Sequence, residues 1–196
     1  MTEPTNYLKH TNPNPIQRLL INNFNKALIN LIRPTKSAKI LDVGCGEGFV
    51  LVTLARNKIG KAYEGIDNSK EAIRLGKKMY PTLNIKIADI YDLPYKDNSF
   101  DLLICTEVLE HLEDPKKALS ELRRVTKKYL AISVPNEPFF IMANFIRGKY
   151  LRHFGNHPEH INHWTFPGFK KFLRKNGFKI SASRAPFAWT LILARK

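Results

Sequence analysis

Apolar side chains recur along the chain at two spacings, one typical of amphipathic helices and one typical of buried strands. From Ile16 to Ile32 the spacing is helical, and Pro34 follows as a stop, so a leading helix is predicted there. Short apolar runs predict seven strands, at Lys39–Val43, Ala62–Ile66, Asn84–Ala88, Phe100–Cys105, Tyr129–Val134, Phe178–Ser183 and Trp189–Ala194. Further helices are predicted over about 48–57, from Ser69 to Met79, from Asp114 onward and over about 165–176.

The alternation of strands and helices determines the expected fold. Repeated strand–helix–strand units require a parallel sheet with right-handed crossovers, which is a doubly wound α/β architecture. The last two strands are joined by a short turn at Pro186 and are expected to pair as a hairpin. No internal repeat or linker interrupts the pattern, so residues 1–196 are predicted to form one domain, with a leading helical segment at 1–34 and an insertion at 136–165.

Composition narrows the class of protein. Apolar residues make up 43% of the 196 and charged residues 25%, and the 12 prolines and 10 glycines are scattered, which excludes collagenous and low-complexity chains. Neither a signal peptide nor a spanning helix is visible, so the expected location is the cytoplasm. Cys45 and Cys105 are the two cysteines, too few for a disulfide framework or a four-thiolate zinc site, and are predicted to be reduced.

The positive charge is concentrated in the second part of the chain. Lysine and arginine exceed aspartate and glutamate by 32 to 17, a net charge of +15. Residues 1–114 hold 15 basic against 14 acidic side chains, whereas residues 115–196 hold 17 against 3. This asymmetry favours an anionic partner for the second part, although a solvated lysine-rich surface gives the same pattern.

The sequence Asp42-Val43-Gly44-Cys45-Gly46-Glu47-Gly48 lies between the first strand and its helix. Three glycines there allow a sharp turn and a close approach of ligand to backbone. Dinucleotide-binding loops place Gly or Ala at the sixth position, which is Phe49 in this chain, so the spacing differs from theirs. A plain structural turn remains an alternative.

Acidic residues also end the next two strands. Asp67 follows the second strand, where a carboxylate can accept hydrogen bonds from both hydroxyls of a ribose. Asp89 follows the third strand, where its carboxylate can accept a hydrogen bond from the exocyclic amine of an adenine while Ile90 covers the adenine ring. Each acid alone is typical of a turn, but Asp42, Asp67 and Asp89 end consecutive strands at one edge of the sheet.

These residues resemble those of the class I S-adenosylmethionine-dependent methyltransferases over roughly residues 39–135, of the small-molecule type similar to the quinone-pathway O-methyltransferases. The resemblance implies a strand order of 3-2-1-4-5-7-6 with strand 7 antiparallel. It implies that S-adenosylmethionine (SAM) is the cofactor, with S-adenosylhomocysteine as product. The cofactor-binding residues it implies are Asp42, Gly44, Cys45, Gly46, Gly48, Asp67, Asn68, Asp89, Ile90 and Glu107. It also implies that leading residues such as Tyr7 and Arg18 close over the methionine carboxylate.

Histidines are the candidates for acid–base catalysis. His111 is the first candidate and His163 the second, because a base assists transfer to a hydroxyl by about 10² to 10⁴-fold. Glu107, Glu110 and His111 resemble metal ligands of quinone-pathway and small-RNA methyltransferases, the latter with a downstream histidine for which His160 or His163 stands. No metal is expected, since hard cations recruit more oxygen ligands than are evident here.

The acceptor is predicted from the insertion between strands five and six. The aromatic and basic run from Pro138 to Arg152 and the histidine-rich loop 156–164 resemble acceptor-side caps of the family. We therefore predict methyl transfer to an oxygen, nitrogen or carbon atom of a small or lipid-like acceptor, and peripheral membrane contact stays open. A nucleic-acid methyltransferase and a non-catalytic SAM-binding partner subunit are the alternatives, and the oligomeric state is not predicted.

Overall fold

The computed structural model describes residues 5–137 and 160–196, and its centre is a seven-stranded sheet in the order β3-β2-β1-β4-β5-β7-β6. The strands are β1 (Lys39–Val43), β2 (Ala62–Asp67), β3 (Ile85–Ile87), β4 (Phe100–Thr106), β5 (Thr126–Pro135), β6 (Lys179–Arg184) and β7 (Trp189–Arg195). β7 runs antiparallel between β5 and β6, and the other neighbouring pairs are parallel. The predicted doubly wound fold and strand order are confirmed.

Helices cover both faces of the sheet. They are α1 (Thr5–Thr11), α2 (Pro15–Ile32), α3 (Phe49–Arg56), α4 (Lys70–Met79), α5 (Pro115–Val125) and α6 (Phe166–Lys175). One apolar core contains buried side chains of α2 and α3, including Leu28 and Leu54. The other contains buried side chains of α5 and α6, including Leu122 and Phe169. The central strands are therefore apolar on both sides, as their continuous apolar sequences predict.

Local capping explains where the predicted helices begin. The side chain of Asp114 accepts hydrogen bonds from the backbone of Lys116 and Lys117, with Pro115 at the first helical position. Ser69 caps α4 through the backbone N–H of Ala72. Gly177, with φ of +84°, follows α6 in the left-handed conformation expected of a glycine after a helix.

Two strands differ from their predicted lengths by more than one residue, because pairing partners determine where strands end. β5 begins at Thr126 rather than at the predicted Tyr129. The residues before Tyr129 are polar, but Thr126 pairs with Phe100 of β4 and so belongs to the strand. β3 contains only three residues, because its one neighbour is β2 and the pairing covers Ile85 to Ile87.

One helix was not predicted, and one predicted region is outside the described residues. α1 precedes the leading helix and is separated from it by Asn12, Pro13 and Asn14. The predicted helix of the insertion, about 138–154, and most of the proposed 136–165 segment fall in 138–159, which the structure does not describe. Among the described residues, none of the helices is long and apolar enough to cross a membrane.

Candidate active site

A cavity of about 670 Å³ opens at the edge of the sheet where the parallel strands end. It lies where β1 meets β2 and β4, at the point where the strand order reverses, which is the usual ligand position in open α/β sheets. The residues that line it and that are used below are Asn6, Lys9, His10, Phe24, Gly44, Cys45, Gly46, Asp67, Asn68, Ala88, Ile90, Glu107, Val108, His111, Leu112 and Trp189.

The glycine-rich turn forms the floor of the cavity. Gly44 and Gly46 have φ values of +76° and +52°, a backbone conformation that favours glycine. A Cβ at Gly44 would lie 2.3 Å from a methyl group of Val108, and one at Gly46 would lie 2.6 Å from the side-chain amide of Asn6. The turn therefore requires glycine for backbone conformation and for close packing.

The carboxylate of Asp67 holds this turn to the end of β2. One oxygen accepts a hydrogen bond from the backbone N–H of Gly46, and the other accepts one from Ser69, both at 2.8 Å. Each oxygen retains a lone pair for a further donor. Asp67 is partly buried and lines the cavity, so its remaining acceptor capacity is available to a ligand hydroxyl.

Asp42 lies beneath the turn rather than in the cavity wall. It is 1% exposed, and neither of its carboxylate oxygens has a hydrogen-bond partner among the described residues. Burial, with a smaller contribution from the charge of Asp67, raises the pKa of Asp42 to about 8. The side chain therefore carries a proton over much of the neutral range.

The short helix α1 covers one side of the cavity. The amide of Asn6 donates to the carboxylate of Glu47, and Lys9 forms an ion pair with Glu107. The ring of His10 stacks on Phe49 with centroids 4.3 Å apart. Burial, and next the charge of Lys9, lower the pKa of His10 to about 4, so its ring is neutral at pH 7.

Glu107 ends β4 in an unusual backbone conformation. Its φ of +57° is in the left-handed region, which is uncommon for a residue with a Cβ. The carboxylate accepts hydrogen bonds from Lys9 and from the indole N–H of Trp189. Burial alone would raise the pKa of Glu107, but these two donors outweigh it and the pKa lies below its ordinary value.

A cluster of acidic and imidazole groups follows Glu107. Single ligand atoms of Glu110, His111 and His160 all lie within 4.8 Å of one another, and the rings of the two histidines are 5.0 Å apart. Glu110 is 1% exposed, neither of its oxygens has a hydrogen-bond partner among the described residues, and burial raises its pKa well above the ordinary value. The chemistry of this set suits either a shared proton or a divalent cation.

Glu137 connects this cluster to the second predicted histidine. Its carboxylate is buried, with one oxygen 3.5 Å from Nδ1 of His160 and 3.2 Å from Nδ1 of His163. The loop is fixed in place by backbone contacts, since Ile161 and Asn162 both donate to the carbonyl of Glu110. The segment from His160 onward is therefore packed against the end of β4.

Comparison with known proteins identifies the family. A family profile described as a methyltransferase domain matches residues 41–131, which include the glycine-rich turn, Asp67 and Glu107. The matched segment is just under half of the chain, and it supports placing the chain among the class I S-adenosylmethionine-dependent methyltransferases. SAM is the cofactor of these proteins, and the cavity lies where their fold places it.

Individual relatives of this methyltransferase agree with the family. An uncharacterized methyltransferase of Schizosaccharomyces pombe is 40% identical over 103 residues, 47% of this chain and 37% of that protein. The demethylmenaquinone methyltransferase of Renibacterium salmoninarum is 30% identical over 128 residues, 64% of this chain and 53% of that protein. The matched segments thus span less than two thirds of these relatives.

A solved structure supports the fold across nearly the whole methyltransferase chain. Magnesium protoporphyrin IX methyltransferase from Synechocystis, crystallised with bound S-adenosylhomocysteine, superimposes with a TM-score of 0.67. The comparison covers 93% of this chain and 88% of that one, at 18% sequence identity. At this identity the likeness concerns the fold.

The structure brings most, but not all, of the predicted cofactor residues to the methyltransferase cavity. Those that line it are Gly44, Cys45, Gly46, Asp67, Asn68, Ile90 and Glu107. Asp42 lies beneath the turn, and Gly48 caps α3 behind it. Asp89 is exposed between two lining residues, Ala88 and Ile90, and its carboxylate accepts from the backbone of Tyr91 at 2.9 Å. Its contact with adenine stays a prediction.

The catalytic candidates are also separated by the fold. His111 lines the cavity, whereas His163 does not and contacts Glu137 instead. Of the leading residues, Tyr7 and Arg18 do not line the cavity, and Asn6, Lys9 and His10 do. No local pattern predicts these three residues or Trp189 as part of the site, because their positions depend on contacts between distant parts of the chain.

Proposed function

We propose that this chain transfers a methyl group from SAM to an oxygen, nitrogen or carbon atom of a small or lipid-like acceptor. The observation that supports this proposal is that Asp67, His111 and the glycine-rich turn line one cavity. Phe24, Val108 and Trp189 give part of the same cavity an apolar and aromatic wall, which suits an acceptor with an apolar body.

The chain's own residues supply binding and alignment. SAM provides a methyl group already activated on a sulfonium, so the protein needs no covalent nucleophile. In this proposal the backbone at Gly44 and Gly46 approaches the methionine part, and Asp67 accepts hydrogen bonds from the ribose. Alignment of acceptor and methyl carbon in a cavity that excludes water is worth about 7–11 kcal/mol of the barrier.

His111 is the group proposed to take the acceptor's proton. It lines the cavity, follows Glu107 by four residues and lies beside His160. Removal of a proton from a hydroxyl acceptor by a positioned base contributes about 10² to 10⁴-fold to the rate. His163 is proposed to act indirectly, since its contact is with the carboxylate of Glu137.

A cation-assisted form of the same reaction is the second candidate. It is favoured by the convergence of Glu110, His111 and His160 and by the absence of a hydrogen-bond partner for Glu110 among the described residues. A divalent cation there would compensate the buried carboxylate and orient an acceptor oxygen. Titration with Mn²⁺ then raises the melting temperature of the parent protein but not of Glu110→Gln, and an unchanged parent rules out this form.

The acceptor is tested with methyl-labelled SAM and fractionated cell extract. Label in the lipid or small-molecule fraction supports the proposal, and label in RNA supports the nucleic-acid alternative. Binding of S-adenosylhomocysteine with no transfer to any fraction supports a non-catalytic partner subunit. The variant His111→Ala is expected to bind S-adenosylhomocysteine as the parent does and to transfer about 10² to 10⁴-fold more slowly. Equal transfer by the two proteins excludes His111 as the base.

A further inference from the structure

The outer edge of the sheet beyond β7 carries only positive charge. Residues 165–196, which form α6, β6 and β7, contain eight lysine and arginine side chains and no aspartate or glutamate. They account for more than half of the chain's net charge of +15. The exposed members are Lys171, Arg174, Lys175, Lys179, Arg184 and Arg195. We call α6 and β6 together the basic edge.

The charges of the basic edge are not neutralised by neighbouring acids. Some cations elsewhere in the described residues are paired, as Arg74 is with Glu71 and Arg124 is with Glu121. No lysine or arginine of α6 or β6 lies within 4 Å of a carboxylate belonging to residues 5–137 or 160–196. The repulsion among the lysine and arginine side chains of the basic edge is therefore not compensated by acidic neighbours, and an anionic partner would reduce it.

A further cation extends this surface from the neighbouring helix. The guanidinium of Arg123, in the last turn of α5, donates to the carbonyl of Gly177, directly after α6. Burial, and next the charge of Arg123, lower the pKa of Lys196 below its ordinary value. The basic edge thus continues across the end of α5.

The two elements of the basic edge, α6 and β6, expose none of the large apolar side chains with which a protein inserts into a membrane, and Phe187 lies in the turn after β6. Phe169 and Leu173, the apolar residues of α6 that face the sheet, are fully buried. The large apolar side chains that are exposed among the described residues are Leu8, Ile16, Leu19, Ile87, Ile161 and Phe187. None of them belongs to α5, α6 or β6. Contact at the basic edge is therefore electrostatic and not insertional.

We propose that the basic edge binds the phosphate backbone of a nucleic acid. Lys179 and Arg184 pair with Arg195 and Leu191 of β7, four residues apart, so they lie about 13 Å from each other, and α6 adds a second row of cations beside the strand. Each strand of a duplex carries one phosphate per about 3.4 Å of helix axis, so the two rows extend over several phosphates. The contact is independent of sequence and does not require the nucleic acid to be the methyl acceptor.

The test removes three charges from α6 and measures binding to a single-stranded RNA of about 20 nucleotides and mixed sequence. The variant carries Lys171→Gln, Arg174→Gln and Lys175→Gln, all exposed positions. Fluorescence anisotropy in the range 50–300 mM salt gives the dependence of affinity on salt. Each lost phosphate contact lowers the slope of log K against log salt by about 0.7, so three lower it by about 2 and the affinity at 0.1 M salt by roughly 100-fold.

A matched control lies on the opposite edge of the sheet. Arg74, Lys77 and Lys78 of α4 have the same composition and the same spacing, and they also end a helix. All three are exposed. Arg74→Gln, Lys77→Gln and Lys78→Gln together change net charge equally, and they are expected to reduce RNA affinity by less than about 3-fold. Equal losses in both triple variants would show a response to total charge alone and would overturn the proposal.

Two further measurements separate this proposal from the others. Vesicles of anionic phospholipid are tested with the same variants, and tighter binding to vesicles than to RNA would overturn the assignment to nucleic acid. S-adenosylhomocysteine affinity and melting temperature are expected to be unchanged in both triple variants, since the basic edge lines no part of the cavity. If the protein transfers no methyl group, RNA binding by the basic edge can still be measured. If the basic edge does not bind RNA, the proposed methyl transfer is unaffected.

Discussion

Replacing Asp67 by asparagine separates cofactor binding from the order of the glycine-rich turn. In the parent, both carboxylate oxygens accept a backbone hydrogen bond, from Gly46 and from Ser69. Asn has nearly the same volume but only one acceptor oxygen, and its amide group faces one of these two N–H donors. The change Asp67→Asn therefore removes the charge and one of the two contacts that hold the turn.

The size of the effect follows from the hydrogen bonds involved. Hydrogen bonds to a charged group contribute about 1.5–3 kcal/mol each, and those between neutral groups about 0.5–1.5 kcal/mol. Loss of one bond to the ribose and weakening of the other costs about 2–4 kcal/mol of binding, which is roughly a 30- to 900-fold increase in Kd. The lost backbone contact lowers the free energy of unfolding by about 1–3 kcal/mol.

Titration calorimetry with S-adenosylhomocysteine measures the first quantity and urea unfolding the second. Asp101→Asn is the control, because one oxygen of the Asp101 carboxylate accepts backbone hydrogen bonds from Ala38 and Lys39 and the other pairs with Lys127, at the opposite edge of the sheet. Both variants are expected to lose stability, and only Asp67→Asn is expected to lose affinity. An Asp67→Asn protein that binds within about 2-fold of the parent refutes the role given to this carboxylate.

Two further predictions concern buried charge. The folded pKa of Asp42, about 8, exceeds its unfolded value, so its contribution to stability is complete below about pH 4 and is lost by about 1.4 kcal/mol per pH unit as the pH rises towards 8. The side chain of Asn in Asp42→Asn does not titrate. Urea unfolding should therefore show that the free energy of unfolding of Asp42→Asn, minus that of the parent, rises by about 4 kcal/mol from pH 5 to pH 8. A difference that stays constant over this range contradicts the raised pKa. Lys9→Met leaves Glu107 without its cation and is expected to cost about 1–3 kcal/mol of stability. Adding Glu107→Gln should restore part of this loss, and a double variant no more stable than Lys9→Met shows that the two charges are not coupled.

The fold was predictable because the local sequence of each central strand is enough to identify it as a strand. Phe100 to Cys105 is apolar on both faces, and Asp114 with Pro115 marks a helix start, so neither needed information from elsewhere in the chain. The start of β5 was not predictable in this way. Thr126 is polar and is in a strand only because Phe100 pairs with it. Strand ends that depend on a partner are outside the reach of local patterns.

The residues of the candidate site that could be predicted from the sequence are those that follow directly from the end of a strand. Asp42 and Asp67 have the same appearance in sequence, yet Asp67 reaches the cavity and Asp42 lies beneath the turn. Asp42 is the penultimate residue of β1 and is paired on both sides, with Gly65 and Ile104, whereas Asp67 is the last residue of β2 and is paired on one side, with Ile87. Glu137 gave no signal at all, since its neighbours His160 and His163 are more than 20 residues away in sequence.

Glu107 links the two ends of the chain across the cavity. Its carboxylate accepts from Lys9 of α1 and from Trp189 of β7, so a single side chain at the end of β4 joins the first helix to the last strand. The left-handed backbone at Glu107 costs about 1–3 kcal/mol, and the two hydrogen bonds to a charged oxygen are of a size that offsets it. A positively charged ligand that reaches Glu107 must compete with Lys9.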